Sequence, residues 1–380
     1  MVVSSRQLNR ATLERQLLAG RVRLPVEDGV RRAVALQAQE PASPYLALWN
    51  RLAGFEPSDL DAAFAAGRVV KASLMRITLQ AVHRDDYPAF RHAMASSLRA
   101  SRVNDRRFTG LGPTAEQVDA LIPDLLTFTA EPRTNADLDA WTRDRLGDLP
   151  PPGAWWALRT YGPFVHAPAE ATWTFGPRPR YTAGPVADPS GPAEPAVRHL
   201  IHRYLAGFGP ATVADIAQFT LLRRPVVRAA LAADRSALRD RPGPDGAELF
   251  DLPDLDLPDD VDRPVPPRLL GMWDSVLLAH ADRSRLIPPG YRAAVIRRNG
   301  DVLPTLLVDG RVAGVWRSTG AGIEAGAFHA LPDNVWAGLA AEAAALTELL
   351  GGRDPGVYRR YDHWWDKGLP IVRSVLLARW

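Results

Sequence analysis

The 380-residue chain contains no cysteine. That absence removes disulfides, thiolate zinc sites, iron–sulfur clusters and a catalytic thiol together. Lysine is almost as scarce, with Lys71 and Lys367 the only two. Neither lies near, in sequence, the polar pair singled out below, so lyase chemistry through a lysine imine is not expected. No apolar run approaches the roughly 20 residues that span a bilayer. The opening MVVSSRQLNR is too polar for a secretory signal, and a cytoplasmic location is expected. There is no Gly-rich loop ending in lysine, no His-Glu-x-x-His and no Gly-x-Ser-x-Gly elbow. His199 and His202 stand three apart on a helical pattern without a third ligand nearby. Neither a metal nor a nucleotide cofactor is therefore expected.

What is present is charge, unevenly placed. Residues 1–112 carry 17 basic and 10 acidic side chains, and residues 266–380 carry 14 and 11. The stretches between, 113–192 and 193–265, are net acidic, with 6 basic against 10 acidic and 9 against 12. Basic ends around an acidic middle fit a chain whose first and last parts face a polyanion. Scatter would give the same arithmetic. The preference for arginine is what a GC-rich genome produces.

Periodicity predicts helices over 4–19, from 26 to about 38, and over 58–66, followed by a returning strand within 69–82. Three helices and then strands make a winged-helix pattern. The middle holds an internal repeat: EPRTNADLDAWT at 131–142 matches GPATVADIAQFT at 209–220. Thr134 with Asp137 and Thr212 with Asp215 read as helix-capping pairs. Hairpins are expected at 155–176 and 237–253, the second turning at Pro244-Asp245-Gly246. The expected fold is thus α+β and mainly helical: winged-helix units at 1–112, 113–190 and 191–265, then a β-rich module at 266–350. In that module a three-stranded meander would turn at Asn299-Gly300 and Asp309-Gly310, closed by a helix at 333–350. The aromatic tail 351–380 is expected to pack back on the body.

One segment stands out chemically. Gln37 and Gln39 flank a small apolar residue just before Pro41. On a continuing helix they would point apart. Proline disfavours helical geometry at the residue before it, so a helix fraying at 38–40 would let both amides converge. The plain reading is polar residues solvating a helix end.

Four stretches together resemble the AlkZ/YcaQ group of winged-helix DNA glycosylases. They are the Leu8 to Leu18 start, the Gln37-Ala38-Gln39 element, the strand Met75-Arg76-Ile77-Thr78-Leu79-Gln80, and the stretch from Trp273 to Arg285 with the Leu-Pro segment after it. The Gln-x-Gln form is that of the AlkZ branch. Ile77 stands where the group usually has glycine, and Gln80 where it has histidine. The resemblance implies a monofunctional DNA glycosylase for N7-alkylated guanine, bulky adducts and azinomycin-like interstrand crosslinks included, in repair or self-resistance. It also implies three tandem winged helices and a β module, C-shaped around a DNA channel. The partner would be double-stranded DNA and the protein a monomer.

A glutamine cannot take a proton from water near neutral pH. It can orient the water and turn its carbonyl dipole toward positive charge, which suffices only for a leaving group that is already good. Gln37 and Gln39 are accordingly the expected catalytic residues. Arg297, Arg298 and Asn299, on the hairpin tip, are expected to enter a DNA groove, and Arg76 to reach phosphate. Trp273 and Asp274 are expected to hold the last module together. Two other readings stand: a transcriptional regulator built of winged helices, and a protein that sequesters adducts without cutting.

Overall fold

The first helix, Ser5–Arg15, opens on a reciprocal cap: the Ser4 hydroxyl accepts the Gln7 N–H at 3.1 Å, and the Gln7 side-chain oxygen accepts the Ser4 N–H at 2.9 Å. Asn9, Arg10 and Arg15 on it and Gln16 just after it are buried, and distant parts of the chain satisfy them. Asn9 donates to the carbonyls of Arg285 and Gly310, Arg15 forks onto Asp251 at 2.7 and 3.0 Å, and Gln16 donates to Gly207. The helix is a strut joining the start of the chain to its third and last parts. These contacts come from a computed structural model that describes residues 2–185 and 191–380, with the Arg360 side chain also outside the description. The expected 190/191 boundary falls beside residues 186–190, which lie outside the described residues.

The molecule is α+β. Six short strands form the first sheet: β1 Leu36–Gln37, β2 Val69–Ser73, β3 Leu79–His83, β4 Arg133–Thr134, β5 Phe164–Ala167 and β6 Arg180–Ala183, in the order β1-β3-β2-β5-β6-β4. Side chains alternate across it. Leu36, Val69 and Ala81 enter one core, shared with the helices near the start and the C-terminal module. Val70, Ala72 and Val82 enter a second, shared with the helices Tyr87–Val103, Trp155–Tyr161 and Glu194–Phe208. One sheet therefore divides two cores. The stretches 1–112 and 113–190 share it, joined where Lys71 on β2 pairs His166 on β5. A separate hairpin, β7 Arg239–Pro242 with β8 Glu248–Asp251, turns at Pro244–Gly246 as expected. The last sheet runs β13-β12-β11-β10-β9, with β9 Arg268–Leu270, β10 Thr305–Val308, β11 Arg311–Thr319, β12 Gly322–Ala327 and β13 Arg373–Arg379. Helix Asp333–Gly351 packs on it, and the tail supplies its edge strand. Both repeat units carry the expected reciprocal caps, Thr134 with Asp137 and Thr212 with Asp215.

Four expectations are corrected. The second helix stops at Arg32 instead of running to 38, because Val34 takes a φ of 70° and turns the chain into β1. Residues 69–82 are a tight hairpin rather than one strand, with Arg76 and Ile77 at its tip. Residues Trp155–Tyr161 are a helix rather than a strand: Trp155 is buried edge-on against Phe164 and Tyr181, and that packing overrides its β propensity. The first arm of the expected meander is the short helix Arg292–Val295, leaving only an Ile296–Val302 bridge around Asn299-Gly300.

At the β2–β3 tip, Arg76 and Ile77 have φ of 57° and 56°. A β-branched residue is rarely found there, since its Cβ meets the following carbonyl at a cost of roughly 1–2 kcal/mol. Glycine carries no such cost. Ile77→Gly and Ile77→Ala delete the same packing, so their difference isolates the strain. The glycine variant is expected to be the more stable by about 1 kcal/mol in urea unfolding.

The two helical histidines each face a different carboxylate: His199 Nε2 lies 2.8 Å from Asp86, and His202 meets Asp234. Burial pushes the Asp86 carboxyl up. The hydrogen bond with His199 and the charges of Arg203 and Arg31 outweigh burial and hold it below its ordinary value. Its contribution is therefore full above the unfolded pKa near 4 and is lost as pH falls through the lower folded value. Urea midpoints should drop steeply below about pH 4 in the parent protein. In Asp86→Asn they should start lower at pH 7 and fall less.

Candidate active site

Strand β1 places the two glutamines. Ala38 donates to the Leu79 carbonyl at 2.8 Å, so the extended chain continues one residue past Gln37 before bending at Gln39. A strand end, not a fraying helix, sets the two residues side by side. Gln37 is 4% exposed, and its side-chain oxygen accepts the Gln39 N–H at 2.7 Å. Gln39 itself is exposed. The pair thus meets through the side chain of one and the backbone of the other, which fixes the Gln37 carboxamide and leaves that of Gln39 in solvent.

Across β3, Gln37 stands directly opposite Gln80. Gln80 is fully buried; its amide nitrogen donates to Thr78 Oγ1 at 2.7 Å and its oxygen accepts from no described residue. One of the two departures from the resembled pattern is therefore the cross-strand neighbour of the first glutamine.

Gln39 opens on a cleft of about 570 Å³. Glu40, Lys71, His166, Trp173, Phe175 and the exposed Arg178 and Arg180 also line it. Lys71 is 4% exposed, and its ammonium sits 4.5 Å over the Phe175 ring. Burial pulls its pKa down to about 8, with Glu40 opposing. Burial likewise takes His166 down to about 3, aided by Lys71 and Arg159. Sequence reasoning did not single out Lys71, His166, Arg178 or Arg180. The Pro-rich run around Arg178 was a signal for the loop but not for its place over Gln39.

The turn at Asn299-Gly300 is tied to the same neighbourhood. Tyr361 donates to Glu40 at 3.4 Å and packs edge-on to Trp273, whose indole N–H donates to the Gly300 carbonyl at 2.8 Å. Arg297 lies over the Trp364 ring at 4.4 Å and donates to the carbonyls of Ala293 and Ala294. Asn299 bonds Asp301 at 2.9 Å, and Arg298 is exposed. Of the tip residues, Arg298 and Asn299 face outward.

Arg76 is the exception. Its guanidinium lies 5.2 Å over Phe219, with both terminal nitrogens out of solvent and without a hydrogen-bond partner among the described residues. Burial, with Arg283 close by, pulls its pKa down to about 10. It is not placed to meet a phosphate at the surface, because the hairpin tip packs onto the helix Val213–Thr220.

The stretch from Trp273 to Arg285 holds these parts in place. Asp274 takes both terminal nitrogens of Arg51 at 2.8 Å, and both side chains are fully buried. Ser275 donates to the Ala35 carbonyl at 2.7 Å, two residues before Gln37. Arg285 donates to Pro210 at 3.1 Å. Among the described residues no group of three or more His, Asp or Glu could hold a metal. No helix among them is long and apolar enough to cross a membrane.

The chain belongs to the AlkZ-like DNA glycosylases: the family model described as "DNA glycosylase AlkZ-like" matches residues 30–349. That membership makes the chain an enzyme acting on DNA rather than a regulator. It is 26% identical over 345 residues to an interstrand DNA cross-link repair glycosylase of Streptomyces sahachiroi, across 83% of this chain and 88% of that protein. The solved structure of the Streptomyces sahachiroi DNA glycosylase AlkZ resembles it with a TM-score of 0.77 at 23% identity, covering 93% of this chain and 98% of that one. At that identity the second likeness is one of fold.

Proposed function

We propose that this glycosylase hydrolyses the N-glycosidic bond of N7-alkylated guanine in duplex DNA, including bulky adducts and interstrand crosslinks. The observation that carries the reading is the hydrogen bond by which Gln39, which lines a cleft with Trp173, Phe175, Arg178 and Arg180, holds the Gln37 side chain behind it. N7-alkylguanine is cationic and departs without protonation, through an oxocarbenium-like state. Such a leaving group asks for an oriented water more than a strong base. The bond from Gln39 fixes the Gln37 carbonyl, whose second lone pair can take a water hydrogen. Gln39, in solvent, steadies the same water from the cleft side. Both carbonyl dipoles favour charge growing on the sugar.

A base tied to the opposite strand cannot be swung ~180° into a closed pocket. An open cleft approached along a groove accommodates it, and the relative named for crosslink repair supports that substrate range. Arg298 and Asn299 would enter the groove, while Arg178 and Arg180 would meet phosphates at the rim. In biology this serves repair, or self-resistance in a maker of DNA crosslinkers.

The test is free-base release from duplexes carrying N7-methylguanine, a bulky N7 adduct or an N7–N7 crosslink. Tight binding without released base from any of them would make the protein an adduct-sequestering one instead. Binding should weaken with salt, log K falling about 0.9 per phosphate neutralised for each decade of salt.

A further inference from the structure

We propose that Lys71 captures the aldehyde of an abasic deoxyribose as an imine, giving this cleft a second, covalent activity toward the product of base release. In sequence Lys71 is 32 residues from Gln39, yet both line one cleft. The sheet brings them together: Lys71 on β2 and Leu36 on β1 oppose the same residue of β3, Ala81. Two strand spacings, about 10 Å, separate the backbones of Lys71 and the glutamine segment.

The side chain is built for nucleophilic rather than electrostatic work. It is buried, and its nitrogen makes no hydrogen bond or ion pair with any described residue; the Phe175 ring is its support. A cation meant to grip phosphate gains from staying hydrated and charged, as the exposed Arg178 and Arg180 do on the same rim. An arginine cannot lose its proton in a protein, whereas a desolvated lysine can. Of the chain's 46 cationic residues only two are lysines, and one of them is buried in the cleft that holds Gln39. With its pKa near 8, roughly a tenth of the amine is free at pH 7.

The chemistry balances without a further reactant. Ring-opening of the abasic sugar exposes an aldehyde at C1′. The amine lone pair forms the N–C1′ bond as the carbonyl pair moves to oxygen, which takes a proton. The carbinolamine then loses that oxygen as water, the nitrogen gives up its proton, and the C=N bond forms. One amine and one aldehyde yield one imine and one water. The abasic site in the cell comes from the glycosylase reaction proposed above, and to that extent the inference rests on that reading.

The experiment supplies the abasic site directly. A duplex with a preformed abasic site is incubated with the full chain and sodium cyanoborohydride, which reduces an imine to a stable amine. The chain offers only Lys71, Lys367 and the α-amine as primary amines, so the attachment point can be read by peptide mass. The expected result is a covalent adduct mapping to Lys71, unchanged in Lys367→Arg and reduced more than about tenfold in Lys71→Arg. No adduct beyond that of an intact duplex overturns the proposal. So does an adduct that maps to Lys367 or the α-amine, and this is read on the parent protein whether or not Lys71→Arg folds. Base release from alkylated duplex is scored separately: its failure removes the proposed function while leaving the trapping result standing.

Discussion

Gln37→Ala is expected to lower base release from N7-methylguanine duplex by about 10²–10³-fold, the cost of losing one oriented dipole at a developing charge. Duplex binding should change little, because Gln37 is almost wholly buried and offers no surface to phosphate. The loss should therefore fall on the single-turnover rate at saturating enzyme. Gln39→Ala should also slow that rate. Its exposed side chain is less rigidly held than the carboxamide fixed by the Gln39 N–H, so the smaller loss is expected there. Glu40→Gln separates this mechanism from one run by a carboxylate base. Water held by two amides survives that change with most of its rate, whereas a general base at position 40 would make Glu40→Gln at least as damaging as Gln37→Ala. Equal rates for Gln37→Ala and the parent would remove the amide pair from the mechanism.

Asp274→Ala should destabilise the protein by about 3–5 kcal/mol, because it strands the Arg51 guanidinium inside the structure with no counter-charge. Arg51 also donates to the Ala47 carbonyl and to Gln16. The pair thus fastens the helix Ser43–Trp49 and the strut at the start of the chain to the C-terminal module. The control is Asp148→Ala, which removes an exposed partner of Arg143 and should leave the urea midpoint in place. A drop of similar size in both would mean that the buried pair has no special role.

The parts of this fold that could be read in advance are those fixed by near neighbours. The caps at Thr134 and Thr212, the turn at Pro244–Gly246 and the long helix before the tail depend on residues a few positions apart. Gln37 and Gln39 stood out by their spacing and by the family resemblance, but on an expected helix end that the structure replaces with a strand. What escaped was set by distant packing. Val34's left-handed backbone decides that the second helix ends and β1 begins, and no dipeptide rule announces it. Arg76 looked like a phosphate ligand until Phe219, far along the chain, covered it. Lys71 was set aside because it is remote in sequence from the glutamines. A sheet brings such residues together only when the pairing of its strands is known.

The pairing of Lys71 with His166 reaches beyond the cleft. Because β5, β6 and β4 continue the sheet begun by β1 to β3, a cut between residues 112 and 113 would leave β2 as a bare edge with two unfinished cores beside it. The stretches 1–112 and 113–185 are then poorly suited to separate exchange between relatives. A hybrid that borrows the glutamine-bearing start of this chain must borrow residues 133–183 with it, or supply another strand to zip onto β2.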